Sequence, residues 1–131
     1  MRVVTYQFMI KYLPTILVCT LVLILSVINI GVLPKTDVPS ADKIVHAIMY
    51  FSIAGMLMLN QTSYFRNKIT KAQLYFAFLF SVSFGILMEI IQFFLPWRSG
   101  SIYDLIANAL GAVIAIIIML TITHYYNLKH E

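Results

Sequence analysis

Four apolar stretches divide the chain, roughly Leu13–Leu33, Ile44–Gln61, Ala72–Leu95 and Ile102–Thr123, separated by short polar segments. A bilayer core asks for about 20 apolar residues per helical span, so the pattern predicts four membrane-crossing helices. The boundaries carry the punctuation that helix ends require. Pro34 and Pro39 interrupt the chain after the first span, and Ser40 is placed to cap the second. Thr70 with Gln73 predicts a capping box at the start of the third, and Ser101 with Asp104 another at the start of the fourth. Pro96 and Gly100 mark a turn of only about six residues, which makes the third and fourth helices antiparallel neighbours.

Composition hardens this into a fold class. Of 131 residues, 61% are hydrophobic and 11% charged, with a mean hydropathy of +0.90. Soluble domains carry about a quarter charged residues, so the expectation is an all-α, polytopic membrane four-helix bundle forming a single domain over residues 1–131. No room is left for a separate soluble catalytic domain. The first apolar stretch is too long for the core of a signal peptide, and no small-x-small cleavage site follows it, so it reads as a retained span. A single cysteine, Cys19, excludes an internal disulfide and reads as a small packing residue.

The net charge of +4 does not point to nucleic acid, because the basic residues are few and sit near segment ends. They act as topology signals instead. Arg2 and Lys11 precede the first span, Arg66, Lys68 and Lys71 fill the second loop, and the C-terminus adds Lys129 and two histidines. In the first loop Lys35 and Lys43 are balanced by Asp37 and Asp42, and the third loop has only Arg98. Both termini and the second loop are therefore expected in the cytoplasm, with the first and third loops outside.

Polar residues within the spans gather at one depth. His46 has Asp42 and Tyr50 one turn before and after it, Glu89 and Gln92 are three apart, and Asp104 and Asn108 four apart. At 1.5 Å per residue, His46, Glu89 and Asn108 each lie roughly 9–10 Å below their outer helix ends. An ionisable side chain within a span is costly unless paired or wetted, which turns Glu89 towards the bundle interior. The expectation is an outward-opening polar cleft lined by helices two, three and four, with Lys43, Arg98, Asp42 and Asp104 as a charged rim. The N-termini of helices two and four would favour an anion there, and Arg98 is suited to hold a phosphate or carboxylate bidentately.

Each residue also has a structural reading. Asp42 and Asp104 complement helix dipoles, Lys43 and Arg98 are interfacial anchors, and Tyr50, Gln92, Asn108 and His46 serve as hydrogen-bonding glue between helices. Glu89 reads as half of an ion pair. Gly85 and Gly111 permit close helix contact, Gly111 and Ala115 forming a small-xxx-small pair. Trp97 is an interface aromatic.

In order, Asp42-Lys43-x-x-His46-x-x-x-Tyr50, Glu89-x-x-Gln92, Pro96-x-Arg98-Ser99 and Asp104-x-x-x-Asn108-x-x-Gly111 resemble the pattern of the VanZ-like family. The resemblance runs from about Ser40 to Ala115, and the first span adds nothing to it. The chain departs from the pattern at Trp97 and at Ala115, where a second glycine is often seen. What the resemblance implies is a bacterial cytoplasmic-membrane protein, in a family whose namesake lowers susceptibility to the glycopeptide teicoplanin.

Three function classes stay open on the residues. The first is a binding or envelope-modifying protein, whose partners are membrane lipids and whose candidate ligands are an anionic lipid, a lipid-linked cell-wall precursor or a glycopeptide. Asp42, Lys43, His46, Tyr50, Glu89, Gln92, Arg98, Asp104 and Asn108 would form its site. The second is an intramembrane hydrolase or transferase with His46 and Glu89 as base and acid. Against it stands the lack of a convincing nucleophile, since Ser99 and Ser101 lie in the turn and Cys19 in an apolar stretch. The third is a structural helper subunit. No cofactor is called for, association with a second copy is left open, and a metal held by Asp42, His46, Glu89 and Asp104 lacks a distinctive spacing.

Overall fold

The computed structural model describes residues 2–29, 41–62, 68–98 and 100–130. These form four helices and no strand: α1 Arg2–Val27, α2 Ala41–Gln61, α3 Lys71–Phe93 and α4 Ile102–His130. At 1.5 Å rise they are about 32 to 44 Å long, each longer than a bilayer core of roughly 30 Å. All four contain windows apolar enough to cross a membrane. Large hydrophobic side chains such as Leu17, Ile48, Leu79 and Ile117 stand exposed around the bundle. That arrangement is stable only where the surrounding medium is itself apolar.

Two helices depart from the expected bounds. Helix α1 begins at Arg2 and stops at Val27, whereas its apolar stretch runs from Leu13 towards Leu33. Its last carbonyls are taken by side chains from α3 and the turn beyond it. Helix α4 continues past Thr123 to His130. Pro34, Lys35, Asp37, Pro39, the Ser40 cap, Arg66 and Ser99 lie outside the described residues.

At the start of α3 the capping box forms as the sequence requires. The Gln73 N–H donates to Thr70 Oγ1 at 3.3 Å, and the Thr70 N–H donates to Gln73 Oε1 at 2.8 Å. At the start of α4 it does not. Ser101 Oγ accepts the Tyr103 N–H at 3.2 Å, but the Ser101 N–H goes to Glu89 of α3, at 3.0 Å. The carboxylate that completes this cap therefore comes from another helix, and Asp104 is released to face α2.

Helix α2 is the central one, half buried along its span, and it packs against each of the others. The short turn makes α3 and α4 neighbours, yet the closest pairing is α2 with α4. Small residues explain it: Ala54, Ala112 and Ala115 form one buried cluster. A Cβ at Gly111 would collide with the Ala47 carbonyl, so the two backbones touch there. Helix α1 packs on α2 and α3 and, among the described residues, not on α4. Its Val22 joins Met49, Tyr50 and Ile53 in one core cluster. Leu57, Met58, Ala77 and Met119 form a second. Successive helices alternate in direction, so the start of α1 and the end of α4 share one end of the bundle. The polar residues of α2, α3 and α4 meet at the other.

Candidate functional site

The polar cluster is built from three helices. His46 lies in the second turn of α2, Glu89 near the end of α3, and Asp104 and Asn108 in the first two turns of α4. His46 Nδ1 is 3.0 Å from Asn108 Oδ1 and 3.8 Å from Glu89 Oε1. Glu89 thus divides its carboxylate, one oxygen accepting the Ser101 N–H and the other facing the imidazole. Asp104 points towards Lys43, whose Nζ is 3.7 Å from its Oδ1 and 3.2 Å from Asp42.

Burial sets the character of the site. His46 is 5% exposed, Asn108 1% and Asp104 6%, so these side chains are sunk in a recess, more enclosed than the cleft expected from sequence and bordered by the partly exposed Lys43 and by Glu89. Packing of α2 on α4 at Gly111 closes it from below. Gly85 lets α3 approach from the side: a Cβ there would lie 3.2 Å from both Asn108 Nδ2 and Tyr50 Cε1. Tyr50 forms the floor, fully buried, with Phe84 tilted against its ring at 6.4 Å. Glu89 and Ser101 also border a mostly apolar groove between α3 and α4, lined by Ile86, Ile90, Phe93, Phe94 and Leu105, with a volume of about 410 Å³.

The remaining sequence candidates lie elsewhere. Asp42 is exposed and paired with its neighbour Lys43. Gln92 turns away to α1, donating to the Ser26 carbonyl at 3.0 Å. Arg98 donates to the Leu25 carbonyl at 2.9 Å. Trp97 joins them through its indole N–H, 3.1 Å from the Val27 carbonyl. Three consecutive carbonyls at the end of α1 are thus capped by Gln92, Trp97 and Arg98, a favourable place for a cation. Partial burial draws the Arg98 pKa below its ordinary value, against the opposing pull of Asp104 and Glu89. The guanidinium stays charged, since arginine does not deprotonate in proteins.

Four atoms of the recess, Glu89 Oε1, Asp104 Oδ1, Tyr50 Oη and Asn108 Nδ2, are buried without a hydrogen-bond partner among the described residues. Ser101 is the site residue that sequence reasoning assigned differently. Its nearest acid in sequence is Asp104, and no local pattern reveals that a carboxylate twelve residues upstream takes its N–H.

The model of one protein family, described as VanZ/LLP1, matches residues 4–123. The match therefore takes in α1, beyond the Ser40–Ala115 stretch that carries the sequence motifs. No curated protein and no solved structure matches the chain.

Proposed function

The chain belongs to the VanZ/LLP1 family, and from that premise we propose that it binds the anionic head of a lipid at the polar end of its bundle. By this reading it is a multi-pass protein of a bacterial cytoplasmic membrane, with the polar end outward as the basic residues of the loops and termini direct. The observation that carries it is the junction of two surfaces at Glu89. The apolar groove between α3 and α4 suits an acyl or isoprenoid chain, and it ends beside a recess bearing Lys43, His46, Asp104 and Asn108. An amphipathic molecule has the same division. Lys43 is the cation best placed to meet a phosphate, being partly exposed and, among the described residues, paired with carboxylates alone. Arg98 serves as a second cation at the rim while its guanidinium also caps α1. A lipid-linked cell-wall precursor has this chemistry, and the glycopeptide phenotype implied by the sequence resemblance would follow from contact with such a precursor.

Lipid mass spectrometry on the purified protein tests the proposal. Lys43→Gln is expected to lose a defined anionic lipid that co-purifies with the wild type. Arg98→Ala is the less clean variant, because it also uncaps α1. An identical lipid set in wild type and Lys43→Gln would refute the reading. A second reading, an intramembrane hydrolase or transferase, is favoured by the approach of His46 to Glu89. It is selected instead if His46→Gln retains the lipid but abolishes turnover of a lipid-linked substrate.

A further inference from the structure

We propose that the recess is a binding site for a divalent metal ion, with His46, Glu89 and Asp104 as its protein ligands. One ring nitrogen and one oxygen from each carboxylate lie within 4.8 Å of one another. They come from three different helices, so backbone geometry and not local sequence sets their spacing. One imidazole with two carboxylates suits zinc or manganese. Metal–ligand distances of about 2.0–2.2 Å place the ligand atoms of a tetrahedral site roughly 3.4 Å apart. His46 Nδ1 and Glu89 Oε1, at 3.8 Å, need only a few tenths of an ångström of adjustment.

Burial and charge point the same way. Asp104 is 6% exposed, and its Oδ1, like Glu89 Oε1, has no hydrogen-bond donor among the described residues. Carboxylate oxygens in that state are expensive to bury, and a cation between them satisfies both. Lys43 meets that need only in part. Its Nζ pairs with Asp104 Oδ1 at 3.7 Å, beyond hydrogen-bonding distance and farther than its 3.2 Å contact with Asp42, and among the described residues it forms no ion pair with Glu89. Among the described residues, Asp42, Glu89 and Asp104 also outnumber the two local cations, Lys43 and Arg98.

The imidazole is already oriented. Nδ1 is the nitrogen turned towards Glu89, and it becomes a ligand once the neutral ring carries its proton on Nε2. Asn108 Oδ1, 3.0 Å from Nδ1, then stops accepting that proton and stands as a fourth ligand for the ion. Asp42, read from the sequence as a companion ligand, lies outside the trio.

The inference does not rest on the lipid reading, because its test contains no added lipid. Chelator-stripped wild-type protein in detergent is titrated with Zn²⁺ and, separately, with Mn²⁺, and bound metal per chain is measured after desalting. One tightly held ion per chain and a raised melting temperature are expected for at least one of the metals. The near-isosteric Asp104→Asn should weaken that binding roughly tenfold or more, with its metal-free melting curve reporting whether it folds. His124→Ala, at the opposite end of the bundle, should bind like the wild type. Failure of the wild type to bind either metal stoichiometrically would overturn the proposal. So would equal affinity in a folded Asp104→Asn, or loss of binding in His124→Ala.

Discussion

Three glycines of the bundle differ in what surrounds them, and the difference orders their tolerance of a methyl group. At Gly111 a Cβ would meet the Ala47 backbone, including its Cα at 2.9 Å. Backbone has nowhere to yield within a tight crossing, so Gly111→Ala is expected to cost about 3 kcal/mol, the upper end of ordinary overpacking. At Gly85 the obstacles are the Asn108 amide and the Tyr50 ring, each at 3.2 Å. Both are side chains, and Gly85→Ala should cost less while displacing Asn108 from His46. Gly55 has only the Ala115 methyl nearby, at 4.0 Å. There the gain in helix propensity, about 1 kcal/mol, should leave Gly55→Ala neutral or stabilising. Thermal unfolding of the three variants in one detergent checks the order. The sequence marked Gly85 and Gly111 as contact sites but not which would be unforgiving, because that depends on whether backbone or side chain lies opposite. The same limit applies to the recess. The meeting of His46, Glu89 and Asn108 was legible, since polar groups at one depth in apolar spans have to find each other. The bond from Ser101 to Glu89 was not, because the nearer acid in sequence, Asp104, satisfies the same capping pattern.

Helix ends show where local rules suffice and where they do not. The box of Thr70 with Gln73 is wholly local, four residues whose side chains and N–H groups serve one another. Thr70→Ala should therefore lower stability by about 1 kcal/mol without disturbing the recess at the other end. The end of α1 is the opposite case. Its last carbonyls are satisfied by Gln92, Trp97 and Arg98, none of which is near it in sequence, and hydropathy alone carried the span on towards Leu33. Cys19, half-buried against the cluster of Val22, Tyr50 and Ile53, is a built-in reporter on this helix. Gln92→Leu removes the bond to the Ser26 carbonyl, and alkylation of Cys19 in detergent should then quicken. An unchanged rate would show that α1 is held by its apolar contacts alone.

For the molecule as a whole, the four spans and the alternation of their directions follow from hydropathy and loop length, and both were readable. The pairing was less so. A short turn identifies α3 and α4 as neighbours, but the closest contact, α2 with α4, comes from alanines and glycines scattered over two helices that are not consecutive. The capped end of α1 has a mechanical consequence at this scale. This helix is the one least covered by protein, and its end is bonded to the very turn that carries Arg98 at the rim of the recess. When an apolar helix is longer than the membrane is thick, it tilts, and a tilt of α1 pulls on that turn. Membrane thickness would thereby become an input to the shape of the recess. Trp97, the only tryptophan, sits at the linkage, so its emission should shift as vesicles are made from progressively shorter acyl chains, and the shift should shrink in Gln92→Leu.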